Sequence, residues 1–202
     1  MRGPPKFGAI QDHHENVNAL EFKASIEHLL KSEGITLLDL ERTCSEIVVF
    51  GSRALGLARD DSDIDLLCIG QGQSLRRRSL DLIFRTSAFV HSPRWLSSEL
   101  GTHVARYGVW IHGRSDWAND AIPDAGAAER KRQLIAARSR ALRRLWDSLL
   151  PVYRQKHTLK LRRDLQRLQF LEKGLPVPPT AMLDQAWEAN PGDVAPCRIT
   201  RA

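Results

Sequence analysis

No apolar run in this sequence approaches the roughly 20 residues that a membrane-crossing helix requires, so a helical membrane protein is excluded. The first residues, MRGPPKFGAIQDHHENVN, lack the apolar centre of a signal peptide; residues 1–15 read as a disordered tail. Cysteine is scarce. Cys44, Cys68 and Cys197 are odd in number and far apart, which argues against a disulfide framework or a zinc site and predicts reduced thiols in a cytoplasm. Internal repeats and low-complexity tracts are absent. What is present, 42% hydrophobic and 27% charged residues over 202 positions, is the composition of a globular chain with one sizeable core.

The charge is unevenly placed. The chain carries +6 in all, yet 14 Lys/Arg stand against 4 Asp/Glu between Glu129 and Lys173. That segment is therefore +10 and the remainder −4. A basic segment of this kind needs a counterpart: a triphosphate, a nucleic acid or an acidic protein.

Apolar spacing predicts a helix from about Glu15 to Lys31, with Leu20, Phe22, Ile26, Leu29 and Leu30 on one face and Gly34 as its stop. ITLLDLERTC predicts a second, short helix. EIVVF is a continuous β-branched run, a strand buried on both sides. SDIDLLCIG and SLDLIFRT predict two more strands, neighbours joined by GQGQSLRRR. Pro93 opens a helix through about Arg106 with Leu96, Leu100, Val104 and Ala105 inward. Gly108 closes it, and VWIHG is a last short strand. SDWANDAIPDAGA reads as a linker. Two long helices follow, about Ala127 to Leu150 and Val152 to Lys173. After the stiff GLPVPP comes a short helix, TAMLDQAWEA, with Thr180 as its candidate N-cap. The expected architecture is α/β (α+β): a small mixed sheet with flanking helices over residues 16–126, and a basic helical subdomain over 127–202.

The chemistry lies in IVVFGSRALGLARDDSDIDLLCIG, residues 47–70. In a strand, Asp63 and Asp65 point to one face and Ile64 and Leu66 to the other. Asp81 takes a matching place in the next strand. Three carboxylates on one patch of sheet repel each other. A hard divalent cation, Mg²⁺ or Mn²⁺, relieves that repulsion with oxygen ligands alone. Two such ions about 3.5–4 Å apart can clamp the attacking and leaving oxygens of a phosphoryl transfer. Gly51 and Ser52 supply the complement, a turn whose glycine admits a ligand close to the backbone and whose helix start favours a phosphate. Arg53 adds charge there, unless it pairs with Asp60 or Asp61. Gly-Ser alone carries no signal, and Asp-x-Asp alone is most often a solvated turn; the conjunction points to catalysis.

That conjunction, GSRALGLARDDSDIDLL followed by SLDLIF, resembles the signature of the polymerase-β-type nucleotidyltransferase superfamily. It is most similar to the bacterial minimal nucleotidyltransferases, which include antitoxin partners of toxins. The segment LSSELGTHVARYGVWIHG looks like that family's closing helix and strand, so the resemblance spans about residues 16 to 115. It implies that Asp63 and Asp65 bind both metals. Asp81 would bind the catalytic metal and help deprotonate the attacking hydroxyl. Gly51 and Ser52, with Arg53 beside them, would meet the β- and γ-phosphates. The implied reaction is transfer of a nucleoside monophosphate from an NTP to a hydroxyl with release of pyrophosphate, supported by two Mg²⁺ (or Mn²⁺) ions.

The acceptor is open among three readings. Arg140, Arg143 and Arg144 share one helix face, and Arg163 and Arg167 share another beside Arg162; these favour a nucleic-acid end or growing oligonucleotide. The resemblance instead favours a protein hydroxyl, with a cognate toxin or effector as partner in a toxin–antitoxin or phage-defence pair. A non-catalytic toxin-binding module is the third, opposed by the intact aspartates. Other features are weaker. His13 and His14 fall in the tail, and His112 and its spacing from Arg106 read as structural. The five tryptophans read as packing, with Trp146 or Tyr153 as candidates to stack on a base.

Overall fold

The computed structural model describes residues 19–114 and 116–189. The tail expected over residues 1–15, the start of the first helix and Cys197 lie outside the described residues. Helix α1 spans Ala19–Ser32 and α2 Leu37–Thr43. Thr36 caps α2, its hydroxyl accepting from the Asp39 N–H. Strand β1 (Cys44–Phe50) runs into a four-residue helix, α3 (Gly51–Ala54), and then into β2 (Ile64–Gly70). A two-residue strand, β3 (Leu75–Arg76), interrupts the polar connection to β4 (Leu80–Arg85). The last strand is β5 (Val109–His112).

These strands make one five-stranded mixed sheet in the order β3-β4-β2-β1-β5. Strands β2 and β4 are parallel neighbours, and β1 is antiparallel to both β2 and β5. The central places of β1 and β2 explain why their apolar runs are continuous: both of their faces are covered. On one face, Ile47, Val49, Ile64, Leu66 and Leu80 pack against Ile26 and Leu30 of α1 and Leu37 and Leu40 of α2. On the other, Val48, Phe50, Leu67 and Ile69 pack against Trp95, Val104 and Trp117.

Two sequence expectations are corrected here. The helix expected from Pro93 to Arg106 is broken: α4 (Ser87–Val90) is followed by α5 (Pro93–Leu96) and α6 (Glu99–Tyr107). Serine side chains make the breaks. Ser92 accepts from the Trp95 N–H and Ser98 from the Gly101 N–H, so each starts a new helix. The expected linker is also part of the core. Trp117 is buried in a 3₁₀ turn, Trp117–Asp120, and both its Nε1 and that of Trp110 donate to the buried carboxylate of Glu46.

Helices α7 (Ala125–Leu145) and α8 (Pro151–Glu172) form an antiparallel hairpin joined by a 3₁₀ turn, Trp146–Ser148, and α9 (Thr180–Ala189) folds back on them. Thr180 does not act as the expected cap. The Pro179 carbonyl accepts from the Met182 and Leu183 N–H groups, and the Thr180 hydroxyl accepts from Arg167. A buried ionic cluster ties the hairpin to the sheet layer. Lys131 of α7 lies 2.7 Å from Glu99 of α6 and 3.3 Å from Asp164 of α8, and Arg138 also meets Asp164. Buried charges persist only when paired, so this cluster sets how the hairpin sits on α6.

Candidate active site

The site forms at the end of the sheet where β1 finishes and β2 and β4 begin. The register places Phe50 opposite Asp65, and Asp65 beside Asp81. Both aspartates therefore share the Phe50 face of the sheet, as alternation requires. Asp63 stands one residue before β2 rather than inside it. Asp65 and Asp81 share a face as the sequence predicts, and β2 begins two residues later than SDIDLLCIG does.

Gly51 ends β1 with φ +74°, a backbone conformation that disfavours a side chain. It also lies directly against the Asp65 carboxylate, so that a Cβ at position 51 would run into Asp65 Oδ2. The turn and the aspartate are one unit. Arg53 serves the same unit from behind. Its Nε donates to the Asp63 carbonyl at 3.2 Å and its Nη2 to the Ser62 carbonyl at 2.5 Å. It fixes the backbone that presents Asp63 and does not line the cavity in front.

That cavity has a volume of about 460 Å³, within the usual range of small-molecule sites. Ser52, Asp63, Asp65, Arg76, Glu99, Arg167 and Thr180 supply its polar lining, and Phe50, Leu100, His103 and the Val177–Pro179 strap supply its apolar part. Most of the lining was not singled out as site residues from sequence, notably Arg76, Glu99 and His103 and the strap residues Val177, Pro178 and Pro179. No local motif marks them. Only the i, i+4 spacing of Glu99 and His103 on α6 shows that the two share a face.

The electrostatics are specific. Burial, together with the neighbouring charges of Asp63 and Asp81, pushes the Asp65 carboxyl up to about 7; Arg76 and Arg53 oppose the rise. Asp81 pairs with Arg76 at 3.7 Å and does not line the cavity. His103 Nδ1 donates to the Val177 carbonyl at 2.7 Å, and burial lowers its pKa, so the ring is neutral and keeps Nε2 as an acceptor. Arg167 donates to Thr180 Oγ1 at 2.7 Å, while its Nε makes no hydrogen bond and faces the Glu99 carboxylate at 3.9 Å.

The other arginines singled out by the sequence are dispersed. Arg162 and Arg163 both pair with Asp184 of α9, and Arg162 also lies over the Trp187 ring at 4.7 Å. Arg140, Arg143 and Arg144 are exposed on α7. Among the described residues no three His, Cys, Asp or Glu side chains are grouped tightly enough to hold a metal ion as they stand. The donor set still suits a hard divalent cation: it is all oxygen, and a cation would oppose the burial and carboxylate repulsion that raise the Asp65 pKa.

Residues 37–107 match the family model described as a nucleotidyltransferase domain. The match runs from α2 to the end of α6 and includes Gly51, Ser52, Asp63, Asp65 and Asp81. The match covers about a third of the chain and supports nucleotidyl transfer in general terms. No curated protein matches the chain. Among solved structures, a toxin–antitoxin complex with AMP-PNP is 18% identical and covers 61% of this chain and 98% of its own, with a TM-score of 0.29. A nucleotidyltransferase-like protein from Exiguobacterium sibiricum is also 18% identical and covers 82% of this chain and 63% of its own, with a TM-score of 0.39. Both scores are low, and the class assignment rests on the family match. No helix among the described residues is long and apolar enough to cross a membrane.

Proposed function

We propose that this chain is a divalent-metal-dependent nucleotidyltransferase that moves a nucleoside monophosphate from an NTP to a hydroxyl and releases pyrophosphate. The observation that carries this reading is the Gly51–Asp65 unit opening on a cavity with both acidic and basic walls. Ser52, Arg76 and Arg167 suit a triphosphate: one hydroxyl donor and two cations on the same cavity. Phe50, His103 and the Val177–Pro179 strap suit a base, an apolar slot with the His103 Nε2 acceptor at hand. A single nucleotide would thus be held between the sheet layer and the α8–α9 segment.

Asp63 and Asp65, with Asp81 in register beside them, would hold the divalent cations. Bound there, such ions neutralise the charge that develops on the transferring phosphoryl group and its flanking oxygens. The chain's own residues do the rest. Arg53 keeps Asp63 in place through the backbone, Gly51 leaves room for Asp65, and Arg76 sets the charge balance of Asp81. Asp81 is the carboxylate that the resemblance assigns to taking the acceptor's proton. Catalysis would come chiefly from positioning and charge neutralisation.

For the acceptor, the nucleic-acid reading has one of its six arginines, Arg167, on the cavity. The test is incubation with each α-labelled NTP and Mg²⁺, with and without RNA and cell lysate. The expected result is transfer of label to RNA or to a protein band, abolished by chelator and by Asp63→Ala or Asp65→Ala. Full transfer by either variant would sink the metal-carboxylate reading. Label on a protein alone, indifferent to RNA, would assign the acceptor to a protein hydroxyl.

A further inference from the structure

The fold sorts the basic residues of the helical segment into two groups. Close to the sheet layer they are paired: Lys131 with Glu99 and Asp164, Arg138 with Asp164, and Arg162 and Arg163 with Asp184. Toward the hairpin tip they are not. From residue 139 to 161 the chain carries Arg140, Arg143, Arg144, Arg154, Lys156 and Lys160 against Asp147 alone. Arg140, Arg143, Arg144, Lys156 and Lys160 are exposed.

The same tip carries an apolar surface. A groove of about 210 Å³ runs between α7 and α8, floored by Ala141, Leu142, Leu145, Leu149 and Leu161, with Arg138, His157 and Lys160 at its rim. Beyond it, Leu150 and Val152 are 62% and 63% exposed, and Leu145 and Tyr153 are about half exposed. Leucines at a floor with cations at the rim form a two-part recognition surface. An exposed apolar patch of this kind marks an interaction site.

We propose that this groove is a docking site for an acidic amphipathic helix of a separate protein. Its apolar side chains would enter between α7 and α8, and its carboxylates would meet the arginines and lysines around them. An apolar stripe at i, i+3/i+4 and i+7 is the pattern such grooves take. The proposal stands apart from the transfer reaction. Val152 is 15 residues from Arg167 along α8, about 22 Å at 1.5 Å per residue, so the tip is not where an acceptor hydroxyl would be held.

Other occupants fit less well. Phosphates of a nucleic acid would use the cations and leave the leucine floor without a purpose. A second copy meeting through the same face would set arginine against arginine. The chain's own ends lack the required acid excess: residues 1–18 have Arg2 and Lys6 against Asp12 and Glu15, and residues 190–202 have Arg198 and Arg201 against Asp193.

The test uses the full chain and fluorescein-labelled 20-residue helical peptides. One carries leucines at i, i+3 and i+7 flanked by glutamates. The second replaces those glutamates by lysine, and the third replaces the leucines by serine. A 20-nucleotide single-stranded RNA and vesicles containing phosphatidylserine serve as further probes. The acidic leucine peptide is expected to bind at least about tenfold more tightly than either control. That binding should fall about tenfold in Leu145→Ser and again in Arg143→Glu/Arg144→Glu, both with unchanged melting temperature, as loss of a central anchor or of several charge contacts predicts. Equal binding of the serine peptide would reduce the surface to a charge patch and overturn the proposal. So would RNA or vesicle binding that is tighter than any peptide and indifferent to Leu145→Ser, and so would no peptide binding above the lysine control.

Discussion

Gly51, just past the end of β1, leaves open the space that the Asp65 carboxylate of β2 fills. The left-handed backbone at Gly51 leaves the space that a Cβ would take to the Asp65 carboxylate, so any side chain there would have to displace it. The glycine of the Gly-Ser turn is thus as much a part of the acidic site as the aspartates are. It lets β1 end within reach of a carboxylate that begins β2.

Two glycines test this. Gly51→Ala and Gly56→Ala impose a similar backbone strain, since both sit at positive φ, and each should cost about 1–2 kcal/mol in stability. Only Gly51→Ala also displaces Asp65, because the space around Gly56 is open. NTP-dependent transfer should survive Gly56→Ala within a few-fold and be lost in Gly51→Ala. Equal activity in the two variants would show that the close approach is incidental.

The raised Asp65 pKa makes stability depend on pH. Between its ordinary value of 3.8 and its value of about 7 in the fold, the native state keeps a proton that the unfolded chain has released. Stability from this group therefore falls as pH rises through that window and levels off above it. In metal-free buffer Asp65→Asn should melt higher than the parent at pH 8, by at most about 4 kcal/mol in stability, and the difference should vanish near pH 4. A constant difference across the range would mean that Asp65 ionises normally.

Arg167 and Arg163 are four residues apart on one helix face, yet their surroundings assign them different work. Arg167→Gln removes a cation from the cavity wall and should raise the apparent KM for NTP about tenfold or more, since an ionised contact to phosphate is lost. Arg163→Gln loosens Asp184 of α9 and should lower the melting temperature with a smaller effect on KM. Steady-state kinetics on both variants, with melting curves alongside, separates the two roles. A reversed pattern would move the phosphate site away from α8.

Lys131 is the buried link between the hairpin and α6. Lys131→Met leaves Asp164 with Arg138 as its remaining cation and Glu99 with the distant Arg167, and should destabilise the fold by about 3–5 kcal/mol, as removing one partner of a buried pair does. Because Glu99 lines the cavity, NTP binding should weaken as well. A melting temperature within a degree or two of the parent would show that the hairpin is held by apolar packing alone.

Much of this protein was legible in the chain itself. The continuous run of β1 marked a strand covered on both faces, since only such a strand can be apolar throughout. The Asp-x-Asp spacing and the matching aspartate of β4 placed Asp65 and Asp81 on one sheet face, because strand alternation is a local property, with Asp63 just before the strand. What lay beyond reach was everything that depends on distance in space. No spacing rule links Arg76, His103 and the Val177–Pro179 strap to Gly51. No count of charges distinguishes Arg162 and Arg163, paired with Asp184, from Arg143 and Arg144, left in solvent. The break at Ser98 and the burial of Trp117 were likewise decided late, by capping hydroxyls and by the Glu46 carboxylate across the sheet. Local periodicity determined the elements and the acidic half of the site. The basic half, and the separation of paired from unpaired arginines, came from packing the α7–α8 hairpin against α6, which brings together groups with no relation in sequence.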